Sequence, residues 1–291
     1  MTDKRIAYFQ LHIAVILYGL TAILGDLISI SAVSLVWWRV LITSLSLIFF
    51  INYGKSLFKL DKGLALKFFG IGAIIAVHWI TFYGAIKLSN ASIVLAAMAT
   101  TSLFTSIVEP IVTGKSFQKL ELILGLLVIP PMLLIANNIE FNMMDGLLVG
   151  LLSAFLAAVF ASFNKLLVDK ASPYEISFLE MFSAFIVISC VLPFLDQKAV
   201  SFWPQGSDWL YLIILSLLCT TLAFVISMMA LKKVSAFDAN LVVNLEPVYG
   251  IFLAILILKE HQEMSPHFYW GVLLILLVVF SHPFLKKKFN E

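Results

Sequence analysis

The chain has 291 residues, of which 62% are hydrophobic and only 12% charged. A soluble domain carries about a quarter charged residues, so this composition excludes a soluble fold and predicts an all-α polytopic membrane protein; a β-barrel would show short alternating segments instead. The net charge of +2 says little in itself, and Cys190 and Cys219 both sit in apolar runs, which implies no disulfide framework.

Ten apolar stretches read as transmembrane helices: 8–28, 33–53, 66–87, 91–113, 120–137, 146–168, 174–194, 209–230, 236–258 and 267–285. The first follows Met-Thr-Asp-Lys-Arg and runs too long for a cleaved signal peptide, so it is expected to stay as a membrane helix. It contains Tyr18-Gly19, which could line a cavity or mark an ordinary close-packing site. The second holds Arg39 about two turns from its outer end. Arg39 could fix a substrate carboxylate, pair with an acid, or snorkel outward on its long stem. Trp37 and Trp38 lie nearer the interface, where an aromatic belt is expected. The third holds His78 near its middle, with Trp79 beside it; such a histidine can relay protons or simply pack.

The fourth stretch carries Thr101, Ser102, Thr105 and Ser106, then Glu109-Pro110 near its inner end, close to Lys115 and Lys119. A structural ion pair competes there with an inner-gate role. Pro130-Pro131 marks a break in the fifth. Asn137 to Asp145 separates two halves, 1–137 and 138–291, with five helices each. Asn164 and Lys165 end the sixth helix, and Glu180 lies about two turns from the inner end of the seventh. The ninth stretch is the most unusual, because Asn244, Glu246 and Pro247 interrupt its centre. A carboxylate at mid-bilayer costs roughly 2.5–3.5 kcal/mol, so such a trio is expected to face protein or water. Glu246 suits proton coupling or a substrate amine, or a packing bond to a neighbouring helix. Asn240 and Asn244 could hold substrate or bond adjacent helices.

Residues 85–115 and 230–260 align without gaps: Ala85 with Ala230, Lys87 with Lys232, Ala91 with Ala236, Lys115 with Glu260. A glycine follows each, Gly125 and Gly271. The register places Thr101-Ser102 opposite Glu246-Pro247. In the second helices of the halves, 31–40 lies against 172–181, so Arg39 falls opposite Glu180. Basic residues concentrate on one side: Lys4, Arg5, Lys62, Lys67, Lys119, Lys165, Lys170, Lys232 and Lys233 are among them, against Lys87, Lys198 and Lys259 on the other. By the positive-inside rule both termini are cytoplasmic. Five helices per half is odd, so the second half enters upside down, the inverted arrangement on which many secondary transporters are built.

The two five-helix halves, the tight charged turn after the fourth helix of each, the segment LEPVYGIFLAILILKE and the glycine after it together resemble the EamA domain of the drug/metabolite transporter superfamily, in two tandem copies. The first copy departs from the pattern, with Thr101-Ser102 in the place of Glu246-Pro247. The resemblance implies a carrier in a bacterial inner (plasma) membrane, alternating access to a central cavity, and small organic cargo, with export of amino acids or related metabolites a frequent assignment.

The chain has no phosphate-cradling glycine loop with its lysine, no His-Glu-x-x-His, no Cys-x-x-Cys and no Gly-x-Ser-x-Gly. No cofactor and no metal are therefore expected, and the expectation is a transporter rather than an enzyme. A nucleoside, sugar or vitamin uniporter, a channel and a membrane-embedded enzyme are the rival readings. Expected partners are a small-molecule substrate and the lipid bilayer, with protons and a second copy of the chain left open; the basic run 286–288 reads as an inner-leaflet anchor, not a nucleic-acid patch. Glu246, His78 and Arg39 are expected near the substrate, with Asn244, Glu180, Trp79, Glu109 and Tyr18 as further candidates.

Overall fold

The computed structural model describes residues 3–51, 60–114, 116–195, 201–234, 242–243 and 245–289. Asn240 and Asn244 lie outside the described residues. All regular secondary structure among the described residues is helical. In chain order the helices are α1 (Asp3–Leu27), α2 (Ala32–Ile48), α3 (Lys62–Leu88), α4 (Ala91–Met98), α5 (Thr101–Thr113), α6 (Lys119–Leu126), α7 (Ile129–Ala136), α8 (Met144–Leu167), α9 (Pro173–Val191), α10 (Asp208–Ser216), α11 (Ala223–Leu231), α12 (Glu246–Leu253) and α13 (Pro266–Phe289). Two π-helical segments, Leu217–Leu222 and Ala254–Leu258, join α10 to α11 and follow α12.

Local chemistry sets where several of these begin. Ser31, Asp61 and Asn90 stand immediately before apolar runs, and each side chain accepts a backbone N–H of the first turn, the role that short polar residues fill at helix starts. At α9 the device is complete: Ser172 accepts from Glu175 N, the Glu175 carboxylate accepts from Ser172 N, and Pro173 follows the cap.

Among the described residues, seven helical stretches are long and apolar enough to cross a membrane: 4–27, 62–88, 91–113, 119–136, 141–170, 173–194 and 208–231. Three shorter apolar helices cover 32–48, 246–258 and 266–278. The differences from the expected boundaries have local causes. The second helix ends at Ile48 in a turn through Phe49-Phe50, not at 53. The run 91–113 is broken at Ala99-Thr100, where the hydroxyls of Thr100 and Thr101 turn back onto the carbonyls of Ala97 and Met98. The run 120–137 is interrupted at Leu127-Val128, and Pro130-Pro131 sit in the first turn of α7, where proline fits. Glu246 is not mid-helix but the first residue of α12, with Pro247 in the tolerated first turn.

α3 packs against α8 and α9; α2 packs on α9; α4 and α5 lie on α8; α1 lies on α11 and α12; α13 lies on α6 and α7. The closest backbone approach that matters for the site is α1 against α12. A Cβ on Gly19 would stand 2.9 Å from Gly250 N and 3.4 Å from Glu246 O, so a residue without a side chain lets these helices touch. Large apolar side chains such as Phe9, Leu66, Ile111 and Trp270 point outward.

Hydrogen bonds tie the two ends of the bundle differently. At one end Lys165 Nζ donates to Leu231 O and Lys232 Nζ to Ala171 O. At the other, Lys87 Nζ donates to the carbonyls of Asp26 and Ile28, Asp208 accepts from Ser29 N and Oγ, and Glu260 accepts from the N–H groups of Ala91 and Ser92 at the start of α4.

Candidate functional site

A cavity of about 530 Å³ runs from the bundle centre to the end that carries Lys165. That volume lies within the range of small-molecule sites. Its mouth includes the exposed Ser116 and Gln118. Its inner part is built by side chains from α1, α2, α3, the 217–222 segment, α11 and α12.

Arg39 stands at the inner end, 3% exposed. Nε donates to Thr220 Oγ1 at 2.7 Å and Nη1 to Tyr83 Oη at 2.7 Å. The guanidinium carbon lies 3.7 Å above the Trp79 ring, a cation–π contact. No carboxylate among the described residues forms an ion pair with it, and neither hydroxyl can neutralise it. Thr220 is presented by the π-helical segment, where its own hydroxyl donates to Leu215 O, five residues back. The extra residue of a π-helix turns a side chain that an α-helix would aim elsewhere.

Glu246 also borders the cavity. Its carboxylate has no hydrogen-bond partner among the described residues, and α12 directs the N-terminal end of its dipole towards this point. Tyr18 closes the wall between α1 and α11, donating to Ser227 Oγ at 2.9 Å, and Gly19 beside it packs on α12. His78 borders the cavity, but its Nδ1 is within 2.9 Å of both Ser153 Oγ and Ser153 O on α8, and its ring lies 5.2 Å from Phe160. Much of its bonding therefore joins α3 to α8. Glu109 lies along the outer part of the cavity, with Glu121 and Gln118, and the hydroxyls of Thr101, Ser102, Thr105 and Ser106 form a polar stripe leading inward.

Thus Arg39, Trp79, Tyr18, His78, Glu246 and Glu109 come together around one space. Glu180 does not border it: the side chain is fully buried behind the wall, accepting from Asn164 Nδ2 at 3.3 Å. Arg39 and Glu180 form no ion pair. The residues the sequence reading missed are Tyr83, Thr220 and Ser227. Tyr83 falls one turn after Trp79 on the same helix face, and Thr220-Thr221 is the polar pair of an otherwise apolar run; those were the available signals.

Among the described residues the structure is a bundle of apolar helices, several long enough to cross a membrane, around a polar-tipped cavity that leads to one end. The EamA-like transporter family model matches residues 5–137 and 144–282, and the chain belongs to that family of membrane transporters. A solved crystal structure superposes with a TM-score of 0.70 over 98% of each chain at 16% identity, which shows a shared fold. No curated protein matches the chain.

Proposed function

We propose that the protein is a secondary carrier that moves a small organic metabolite, with amino acids or related compounds the first class to try, by alternating access. The observation that carries this reading is a cavity wall that presents a cation, Arg39, with no ion-pair partner among the described residues, and a carboxyl, Glu246, with no hydrogen-bond partner among them. Two opposite charges that face one low-dielectric space without bonding each other are costly, and a ligand bearing a carboxylate and an amine offers each a direct partner. The aromatic lining of Trp79, Phe82, Phe160 and Phe224 suits an apolar remainder. Energy comes from a proton gradient or from the substrate's own gradient.

The seven long and three shorter apolar helices are read as ten spans in two inverted repeats. Two observations support this. The breaks at Ala99-Thr100 and just before Glu246 fall at aligned positions in the register that pairs Ala85 with Ala230, so α5 and α12 start at Thr101 and Glu246. The packing also repeats: α3 lies on α8 as α1 lies on α11, and α4–α5 lie on α8 as α12 lies on α1. With the lysine-rich end placed in the cytoplasm by the positive-inside rule, the cavity faces inward. A bacterial inner membrane and cytoplasmic termini complete the reading, and a channel is disfavoured because hydrogen bonds tie the opposite end.

Counterflow in proteoliposomes tests it. Vesicles loaded with unlabelled amino acids and related metabolites should take up one labelled class saturably. Arg39→Ala and Glu246→Gln should each weaken exchange about ten-fold or more, the loss of a charge-assisted contact of roughly 1.5–3 kcal/mol. Normal exchange in both variants would refute this site.

A further inference from the structure

The cavity wall hides a second carboxyl. Glu180 is 0% exposed on α9, and its one hydrogen bond among the described residues comes from Asn164 Nδ2. Glu180 Oε1, Asn164 Oδ1 and Ser177 Oγ, one turn back on α9, are all buried without a partner. Asn164 itself borders the cavity, so one side chain separates the carboxyl from the space where substrate sits. The flanking elements carry Arg39 on α2, Lys62, Lys67, His78, Tyr83 and Lys87 on α3, Asp145 and Lys165 on α8, and Tyr174, Glu175 and Cys190 on α9 itself as charged or titratable groups, and α11 carries none. None of them bonds to Glu180 among the described residues. A native interior rarely keeps an acid with neither a counter-charge nor a full set of donors, and such a group calls for an explanation.

We propose that Glu180 is a proton-binding site of the transport cycle, separate from the substrate site, closed off behind Asn164 in this state and opened to the cavity in the oppositely facing one. A proton on Oε1 removes the uncompensated charge. The few orphan oxygens here suit a proton; a metal cation would ask for a fuller shell of oxygen ligands. The second half of the proposal rests on the inverted-repeat reading. Arg39 and Glu180 occupy corresponding positions in the two halves, and their helices pack on each other. When the halves exchange conformations, the place at the cavity wall held by Arg39 passes to Glu180. The acid then takes up a proton from water on that side and, on return, releases it towards the inward cavity before Asn164 closes over it.

Two measurements on the full chain in proteoliposomes decide this. Infrared difference spectra across a pH step should show a protonated-carboxyl carbonyl band that is absent in Glu180→Gln and displaced in Glu180→Asp. The ratio of exchange rates with and without a pH step should fall to one in Glu180→Gln, whatever the absolute rate, and rise above one again in Glu180→Asp. The spectrum needs no substrate, so it still reads Glu180 if no compound exchanges and the carrier reading fails. An unchanged spectrum in Glu180→Gln overturns the proposal. So does a wild-type rate ratio of one, or a wild-type ratio retained by Glu180→Gln. A band that responds to sodium at constant pH overturns it in favour of a metal cation.

Discussion

Arg39 shows how one residue can be visible in a sequence while its role is not. A guanidinium in an apolar run is conspicuous, and snorkelling, pairing and substrate binding all fit the same spacing. In the fold the side chain points inward, and hydroxyls and an aromatic face surround it. Glu260 is the converse case. It reads as part of a charged turn, yet it is 4% exposed and caps the first turn of α4, accepting from Ala91 N at 3.0 Å and Ser92 N at 2.8 Å. Burial pushes its carboxyl above the ordinary value, the two N–H bonds pull against that, and Asp26 adds to it. A raised value means the folded protein holds this proton more tightly than the unfolded chain. The contribution to stability is then complete below the ordinary carboxylate range and is lost as pH rises through the raised value. Thermal unfolding in detergent across a pH series should therefore show wild type losing stability relative to Glu260→Gln as pH increases. A difference that stays flat, or grows with pH, would contradict this.

At the scale of elements, periodicity and punctuation located the helices well, because a long apolar run next to Ser, Asp or Asn has few alternatives in lipid. The interior breaks were only partly legible. Pro130-Pro131 announced one. The break at Ala99-Thr100 was not foreseen, since hydroxyls that bond their own backbone carry no period. The π-helical segment that presents Thr220 was invisible for the same reason. Glycine spacing shows where elements touch only once the fold is known. Gly19 meets the backbone of α12, whereas a Cβ on Gly84 would meet nothing within 4 Å. Gly19→Leu should separate α1 from α12, lowering stability by about 1–3 kcal/mol and exchange with it. Gly84→Ala should be neutral or slightly stabilising. Comparison of their unfolding temperatures checks both, and equal effects would argue against the close approach.

For the whole molecule, the polar stripe on α5 predicts one-sided access. In a Cys190→Ser, Cys219→Ser background, Ser102→Cys should react with a charged, membrane-impermeant thiol reagent added at the Lys165 end, and substrate should slow the reaction. Reaction from the Asp208 end alone would reverse the assigned direction of the cavity. Residue types and their order along the chain determined that this protein is an α-helical membrane protein of EamA type, and which polar residues are anomalous. Those properties are local: the transfer of apolar side chains to lipid and the satisfaction of backbone groups within a helix involve near neighbours only. Which anomalies meet was decided by tertiary structure. Arg39 finds Tyr83 and Thr220 at separations of 44 and 181 residues, and Tyr18 finds Ser227 across 209. Glu180 lies behind the wall, accepting from Asn164. Such pairings follow from how helices stack and rotate against each other, a cooperative property of the packed bundle that no stretch of sequence carries alone.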